Sequence, residues 1–479
     1  MYKLRPLSML ALLLASGAVF ANDAEQRSTL NDQQEVAVTI YNNNLALVKD
    51  QRKLKLGSGK QALAFRDVSA QMRPETALLR SVSAPGSLSV IEQNFDFDLL
   101  TPQKLLEKYV GKTVGIIKMN PATGVETREE ALVLSAQNGT VLKIGERIET
   151  GIPGRIIYSE LPANLRDRPT LVMSLNSTSA QTQNVELSYL TGGLGWKADY
   201  VVELNPADDK LDMSGWVTLS NTSGAAYRNA KLQLVAGDVN QVQRNAPAAM
   251  DAVRTFAKAV PMKEQMSEES LFEYHLYTLD RPTTIAENQT KQVALLSAAN
   301  VPVRKEFLLA GSDYYYQGGY GDLGQKIKIG VFIEFDNKES SRLGMPMPKG
   351  IMRVYKKDAA GNAQFIGEDN IDHTPKNEKI RLKLGDAFDV TADKKQTDFK
   401  KIGGSSKYNY VFESAYEVVI KNAKKEAVTV KVQEPMPGDW NIISTSLPYT
   451  KGASNVAVWN VTVPAEGKAT LTYRALVRY

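Results

Sequence analysis

The chain has 479 residues, of which 43% are hydrophobic and 23% charged, and its formal net charge is +5 at pH 7. Basic and acidic residues are interspersed without a Lys/Arg block, which argues against a nucleic-acid partner. The sequence contains no cysteine, so disulfides, thiol chemistry and cysteine-based zinc sites are excluded.

The N-terminal residues predict a secretory signal peptide. Lys3 and Arg5 form a short basic start, an apolar run follows over residues 7–14, and small residues lead to a predicted cleavage after Ala21. This apolar run is too short for a membrane span, and no later stretch reaches the roughly 18 apolar residues that a transmembrane helix needs. We therefore expect an exported protein, periplasmic or secreted after signal-peptide cleavage, without a transmembrane helix.

Most of the remaining chain alternates polar and apolar residues with period two, which predicts β-strands. The clearest runs are residues 36–41, 45–50, 170–175, 216–220, 231–235, 326–335, 416–420 and 428–432. Residues 101–111 predict a helix, because Thr101 can cap it, Pro102 suits its first turn and Gly111 suits its end. A second short helix is predicted near residues 263–270. The predicted fold class is therefore all-β with little helix.

A compact run of short strands follows the first predicted helix. The Asn138-Gly139 pair between two alternating runs is a strong signal for a tight hairpin. Further turns are predicted at residues 120–124 and 144–148. Four or five strands within about sixty residues predict a small, SH3-like barrel module at 96–165.

A unit of strand, asparagine, polar bend and strand recurs around Asn176, Asn221, Asn337 and Asn422. Asparagine tolerates left-handed turns and bonds nearby backbone groups. Such units are common at the edges of immunoglobulin-like sandwiches. The predicted domain order is a signal peptide (1–21), an N-terminal β domain (22–95), the small barrel module (96–165), a β-sandwich (166–300) and a C-terminal β-sandwich (301–479).

The segment YYYQGGYGDLG places tyrosines next to glycines. Tyrosine on a pliable loop supplies rigid contact area, which suits binding. The predicted binding surface therefore comprises Tyr314, Tyr315, Tyr316 and Tyr320. The alternative is a tyrosine-rich hairpin that packs on its own sheet.

Four segments occur in a fixed order: LSYLTGGLGWKADYVVEL, GWVTLSNTSGAAYRNAKLQLVAGDVN, EYHLYTLDRPTTIAENQTKQVALL and GEDNIDHTPKNE. Together they resemble an uncharacterised bacterial exported family that includes the mucoidy-inhibitor-like proteins. The resemblance covers residues 165–479 well and the N-terminal third more loosely. It implies a β-rich protein of a Gram-negative cell envelope, with no settled reaction. Relatives of the mucoidy-inhibitor type carry a long coiled coil, whereas this sequence shows no heptad run.

The segment GEDNIDHTPKNE, residues 367–378, is the densest polar cluster in the chain. Glu368, Asp369, Asp372 and His373 are candidate catalytic residues, since they include acceptors and a histidine that can act as a base. On a regular strand they do not share one face, so a loop would have to gather them. The alternative, which we favour, is a turn whose side chains bond the local backbone.

The sequence contains two histidines, His275 and His373. If both converged with Asp369, they would form a metal site of two histidines and one carboxylate. The segment around His275 also predicts a hairpin, in which Lys291 on the return strand pairs with Glu273.

We expect the protein to bind or scaffold an envelope protein or polysaccharide without catalysis. The rival expectation is a metal-dependent or acid–base hydrolase that acts on envelope polymer and is centred on residues 367–378. The sequence contains neither a serine-nucleophile elbow nor a phosphate-binding loop. No motif in it identifies a cofactor.

Overall fold

The computed structural model describes residues 25–42, 44–96, 98–162, 165–237, 239–240, 266–403, 407–452 and 455–479. Strands account for 64% of it and helix for 5%, which confirms the all-β prediction. Within these ranges, no helix is long and apolar enough to cross a membrane. The predicted signal peptide, residues 1–21, lies outside the described residues.

The first part of the chain is built from short antiparallel and parallel strands with one intervening helix, α1 (Pro102–Lys108). Its strands are β1 (Gln26–Ser28), β2 (Gln33–Tyr41), β3 (Leu45–Lys55), β4 (Gly59–Arg66), β5 (Leu78–Ser81), β6 (Leu88–Asp96), β7 (Thr113–Met119), β8 (Glu126–Ser135), β9 (Val141–Ile144), β10 (Arg147–Thr150), β11 (Arg155–Ile157), β12 (Thr170–Ser177) and β13 (Thr182–Thr191). Two 3-10 helices lie at Leu30–Asp32 and Pro74–Thr76.

The later part of the chain has longer strands. They are β14 (Leu194–Leu204), β15 (Lys210–Asn221), β16 (Tyr227–Ala236), β17 (Met266–Leu271), β18 (Tyr274–Leu279), β19 (Thr283–Ile285), β20 (Gln289–Pro302), β21 (Arg304–Ala310), β22 (Asp322–Asp336), β23 (Gly350–Lys357), β24 (Ala363–Ile371), β25 (Lys379–Ile402), β26 (Val411–Asn422), β27 (Val428–Pro435), β28 (Asp439–Thr445), β29 (Tyr449–Lys451), β30 (Val456–Val463) and β31 (Gly467–Arg478). Two further 3-10 helices lie at Asp313–Tyr316 and Glu339–Ser341.

The local signals in the sequence agree with these elements. Each of the eight alternating runs falls within an observed strand. The first predicted helix is confirmed, since Thr101 Oγ1 accepts a hydrogen bond from the Lys104 backbone N–H at 3.1 Å and so caps α1. The predicted tight turn between β8 and β9 is confirmed as well, with positive φ angles of 56° at Asn138 and 128° at Gly139.

Two compact units divide the chain. The first contains the described residues up to Val36 together with Val48–Thr191 and Ser223–Ala225. The second contains Ala37–Leu47, Gly192–Thr222 and the described part of Ala226–Tyr479.

The first unit contains a four-stranded sheet of order β1-β4-β12-β6 and a five-stranded sheet of order β10-β9-β8-β7-β11. Helix α1 buries Leu106 against the five-stranded sheet, where Val114, Ile116 and Val133 are also buried. Burial of these side chains gives the sheet a small core of its own. This core lies within residues 96–165, where the sequence predicts the barrel module.

The second unit contains a five-stranded sheet of order β20-β15-β14-β23-β24 and a nine-stranded sheet of order β28-β31-β26-β25-β22-β21-β27-β30-β29. The nine-stranded sheet is nearly closed and barrel-like. Trp459 of β30 donates from Nε1 to Thr445 Oγ1 of β28 at 3.0 Å, which ties the two ends of the sheet together. Near closure leaves little open edge for pairing with another chain.

The core of the nine-stranded sheet combines aliphatic and aromatic side chains. Its largest buried members are Tyr316, Tyr416, Tyr473, Trp440 and Trp459. The aliphatic members come from the alternating runs that the sequence shows. They include Val390, Ala392, Val418, Ile420, Val428, Val430, Val432, Val461, Val463 and Leu471.

Two predictions about pairing are wrong. The described part of the predicted helix 263–270 belongs to strand β17, which pairs antiparallel with β18. The hairpin predicted around His275, with Lys291 on its return strand, does not form either. Strand β18 pairs with β16 and β17, whereas β20 pairs with β15. Lys291 Nζ accordingly donates to the Thr284 carbonyl at 3.0 Å. Alternation identifies a strand, but partner choice depends on contacts far away in the sequence.

Three of the recurring asparagines are buried at strand ends, where each ties two backbone segments together. Asn221 and Asn422 close β15 and β26, and Asn337 follows β22. Asn337 Nδ2 donates to the carbonyls of Met345 and Pro375, at 2.8 and 3.0 Å. Its Oδ1 also accepts from a backbone N–H, at 3.0 Å. A buried amide that satisfies this many backbone groups holds both loops in place.

We predict that Asn337→Ala lowers the free energy of unfolding by about 2–3 kcal/mol, because it leaves buried backbone groups without partners. Chemical denaturation with matched m-values measures the change. Asn460→Ala is the control, since Asn460 is exposed on β30, and it should change stability by less than about 0.5 kcal/mol. Equal losses in the two variants would contradict the role given to Asn337.

Candidate functional site

The acidic residues of segment 367–378 make structural contacts. Glu368 Oε2 lies 3.2 Å from Arg353 Nε, and Arg353 also pairs with the buried Asp199 at 2.9 Å. Asp369 Oδ2 accepts the backbone N–H of Lys383 at 2.8 Å, which joins β24 to β25. These carboxylates therefore brace neighbouring strands.

Asp372 and His373 lie in the turn between β24 and β25. His373 Nδ1 accepts the backbone N–H of Lys349 at 3.2 Å, and Thr374 pairs through its backbone with Met347 at 2.8 and 2.9 Å. The Asp372 carbonyl accepts from Thr374 Oγ1 at 2.8 Å. Asp372 and His373 therefore lie in a hydrogen-bonded turn.

His275 lies on β18, where its Nδ1 bonds Glu268 Oε1 of β17 at 2.7 Å. Among the residues that the structure describes, no three His, Asp or Glu side chains are grouped so that they could hold a metal ion. The structure therefore does not gather His275, His373 and Asp369 as a set of metal ligands.

The four tyrosines of the predicted binding surface differ in exposure. Tyr314 and Tyr320 are 49% and 46% exposed, Tyr315 is half-buried, and Tyr316 is fully buried. The 3-10 helix Asp313–Tyr316 explains the difference, because three residues per turn direct successive side chains about 120° apart. Two of the four tyrosines thus face solvent, and Tyr316 belongs to the core.

Tyr314 and Tyr320 belong to a larger group of aromatic rings at one end of the nine-stranded sheet. Their ring centroids are 5.6 Å apart in an edge-to-face arrangement. Gly319 lies against Phe399, since a Cβ there would be 3.5 Å from the ring. The members of this group, which we call the aromatic end surface, are Tyr314, Tyr320, Phe399, Tyr410, Phe412 and Tyr479.

The other four rings of the aromatic end surface are grouped around Phe412. Its ring centroid lies 5.5 Å from that of Phe399, 6.1 Å from that of Tyr410 and 5.9 Å from that of Tyr479. Tyr410 is 50% exposed and its ring is nearly parallel to that of Phe412. Burial raises the pKa of Tyr479, and the nearby Asp313 carboxylate adds to the rise. The rings of Phe399, Tyr410, Phe412 and Tyr479 therefore form one cluster, and Gly319 brings the pair of Tyr314 and Tyr320 next to it.

A buried ion pair lies beneath this surface. Lys394 Nζ bonds both oxygens of Glu434, at 2.6 and 2.7 Å, and the two side chains are 3% and 0% exposed. Tyr316 donates its hydroxyl to Glu434 Oε2 at 2.9 Å and lies 2.9 Å from the Tyr473 hydroxyl. Lys394 Nζ also lies 4.3 Å from the ring centroid of Tyr315. The tyrosines therefore surround both charges with polar and π partners.

Side chains of β25 and β26 form hydrogen bonds to the backbone of residues 314–320, which we call the tyrosine loop. Gln396 Nε2 donates to the Gly318 carbonyl at 2.9 Å, and Gln396 Oε1 accepts the Tyr320 N–H at 2.6 Å. Tyr416 donates its hydroxyl to the Tyr315 carbonyl at 2.6 Å. The loop that carries Tyr314 and Tyr320 is thereby held at both ends.

Burial dominates the electrostatics of this interior. It raises the pKa values of Tyr316 and Tyr473 well above their usual value, and the Glu434 carboxylate adds to the rise. It also raises the pKa of Tyr315 to about 12. Burial lowers the pKa of Lys394, and the paired Glu434 opposes this shift.

Sequence reasoning missed Lys394, Gln396 and Glu434, although a signal for them exists. Val390 and Ala392 face the core, and the same alternation places Lys394 and Gln396 on that face. On β27 the inward run of valines likewise ends in Glu434. When a cationic residue continues the apolar face of one strand and an anionic residue continues that of another, the pattern indicates a buried ion pair.

The fold and this site define an all-β protein with an aromatic surface supported by a buried charge network. The chain belongs to the family described as "Domain of unknown function (DUF4139)", whose model matches residues 185–479. The match includes the aromatic end surface and the ion pair beneath it. No curated protein matches the chain.

We predict that stability falls as pH rises above about 10, where unfolded tyrosines ionise. The folded chain keeps the protons of Tyr316 and Tyr473 because their pKa values are raised, so unfolding releases protons in this range. Each such group lowers the free energy of unfolding by up to about 1.4 kcal/mol per pH unit.

Denaturation at several pH values measures this slope in the wild type and in Tyr316→Phe, which should have a shallower slope. Tyr314→Phe, whose ring is half-exposed, is the control and should keep the wild-type slope. Identical slopes for wild type and Tyr316→Phe would contradict the prediction.

Proposed function

We propose that this chain is an exported envelope protein that binds a polysaccharide through the aromatic end surface without catalysing a reaction. The observation that carries the proposal is the presence of two neighbouring ring groups, in which Tyr314, Tyr320 and Tyr410 are each about half exposed. Aromatic rings bury the apolar faces of partners, and tyrosine hydroxyls add hydrogen bonds at the edge. Pyranose rings offer both features, an apolar C–H face and equatorial hydroxyls.

The surroundings of the rings also suit a saccharide. Tyr408 donates to Asp439 Oδ2 at 2.6 Å, and Arg478 lies 3.8 Å from the same carboxylate. Lys401 Nζ lies 5.4 Å from the ring centroid of Tyr410. Charged and hydroxyl groups beside a stacking platform supply the polar contacts that orient a bound sugar.

Rigidity supports binding at this surface. The contacts of Gln396 and Tyr416 hold the tyrosine loop before any ligand arrives, so little ordering entropy remains to be lost on binding. The export part of the proposal is supported by the signal-like residues 1–21, and an exported chain would meet envelope polymers. The contacts of Glu368 with Arg353 and of Asp369 with the Lys383 N–H engage both carboxylates in the fold, which favours binding over hydrolysis.

We predict that Tyr314→Ala and Tyr320→Ala each weaken saccharide binding about tenfold, since loss of one aromatic platform removes about 1–1.5 kcal/mol. Affinity electrophoresis and calorimetry with neutral and uronate-containing oligosaccharides measure the effect. Phe365→Ala is the matched control, because Phe365 is 55% exposed and contacts another ring, that of Tyr355, at 5.7 Å. It should bind as the wild type does.

Two outcomes would overturn this proposal. One is wild-type affinity in both tyrosine variants at unchanged melting temperature. The other is the absence of saccharide binding together with capture of an envelope protein that the tyrosine variants lose, which would assign the surface to a protein partner. Recovery of the chain in the cytoplasmic fraction after expression would overturn the export part alone.

A further inference from the structure

Strand β25 contains a large bulge that presents a phenylalanine to solvent. Lys328 of β22 pairs with Thr391, whereas Gly330 pairs with Asp386, so residues 387–390 stand opposite one residue of β22. Bulges of this kind redirect side chains. Phe388 on this bulge is 95% exposed.

An exposed apolar side chain needs no explanation by itself. Phe388 differs because it lines an open surface depression of about 540 Å³, together with polar residues of β25, β26 and the turn before β31. The polar lining includes Asp389, Thr391, Lys421 and Glu466. A depression of this volume is within the range of small-ligand sites, with one aromatic wall and several hydrogen-bonding groups.

The walls of this depression are fixed by the fold. Asn422 is 3% exposed and donates to the carbonyls of Glu426 and Pro464, at 2.8 and 2.9 Å. The Ala423 N–H donates to the Asp389 carbonyl at 2.8 Å, which holds the bulge against the end of β26. The backbone around the depression is thus held by the folded sheet.

We infer that the Phe388 depression is a second saccharide subsite, which binds another part of the polymer that contacts the aromatic end surface. The ring of Phe388 stacks on the apolar face of one sugar unit. Asp389 and Glu466 accept hydrogen bonds from its hydroxyls, and Lys421 donates to its oxygens. This inference rests on the proposed function, and it adds a separate location and a second contact.

The two sites lie at opposite ends of strand β26. Phe412 of the aromatic end surface is the second residue of β26 and Asn422 is the last, so ten residues, or about 33 Å, separate them. On β26, Lys421 of the depression and Phe412 of the aromatic end surface lie on opposite faces, because nine residues separate them. A polymer that reaches both positions therefore passes over the edge of the sheet.

A polymer that spans both subsites binds more tightly than an oligosaccharide that fills one, because the second contact forms within the complex. Two independent subsites also bind two short oligosaccharides per chain. The ratio of bound oligosaccharide to protein therefore distinguishes one site from two.

The test uses the full chain, with dextran and polygalacturonate as polymers and a short oligosaccharide of each. Calorimetry should give two oligosaccharides per wild-type chain, one per Phe388→Ala chain, and one per chain of the Tyr314→Ala, Tyr320→Ala double variant. Affinity for the polymer should fall at least tenfold in Phe388→Ala. Phe272→Ala is the matched control, since Phe272 is 85% exposed but does not line the depression, and it should match the wild type.

The outcomes separate this inference from the proposed function. If Phe388→Ala keeps the wild-type stoichiometry and polymer affinity while the tyrosine variant loses binding, the second subsite is refuted and the aromatic end surface stands. If the tyrosine variant keeps both values while Phe388→Ala loses binding, the proposed function of the aromatic end surface is refuted, and so is the inference that the Phe388 depression is its second subsite. Failure of the wild type to bind any of the probes would overturn both.

Discussion

The ion pair between Lys394 and Glu434 is the interaction on which the aromatic end surface depends. Removing two charges from water costs several kcal/mol per ion, and only close geometry with further hydrogen bonds offsets that cost. Here both carboxylate oxygens bond the ammonium group, and Tyr316 donates to one of them. Gly311 makes room for this arrangement, since a Cβ there would lie 2.2 Å from Glu434 Oε2. The Glu434 carboxylate receives its hydrogen bond from Tyr316 because the Tyr316 side chain lies in the sheet interior.

The position of Tyr316 determines what the loop presents to solvent. Because the loop forms a 3-10 turn, a buried Tyr316 leaves Tyr314 facing outwards, and the Gln396 contacts then place Tyr320 beside it. Strand β25 supplies both Lys394 and Gln396 to this network, and it also carries Phe399 and the Phe388 bulge. One 24-residue strand therefore links the buried charges to both proposed contact sites.

The sequence predicts where the strands and helices of this fold lie better than it predicts which strands pair with each other. Period-two alternation identifies strands such as β26 and β27, and the Thr101 cap and the Asn138-Gly139 turn are local signals that any context preserves. Pairing depends on distant contacts, which the sequence does not show. The wrong helix prediction at β17 has a local cause, since Glu268 and Glu269 favour a helix but pairing with the neighbouring β18 overrides that propensity. The same limit applies to the site: the tyrosine loop is visible in the sequence, but the burial of Tyr316 follows from Glu434, more than a hundred residues away. Polar residues on an inward-facing register are the signal that would have revealed that pair.

The most direct test is amide hydrogen exchange across the tyrosine loop in the wild type and in Glu434→Gln. Glu306→Gln is the control, because Glu306 forms a less buried ion pair in the same sheet. If the buried pair holds the loop, the amides of Tyr315, Gln317 and Tyr320 should exchange at least tenfold faster in Glu434→Gln, relative to amides of β15 in the five-stranded sheet. The control should leave this ratio at its wild-type value. Unchanged exchange of the three amides in Glu434→Gln would contradict the central claim that the ion pair positions the aromatic end surface.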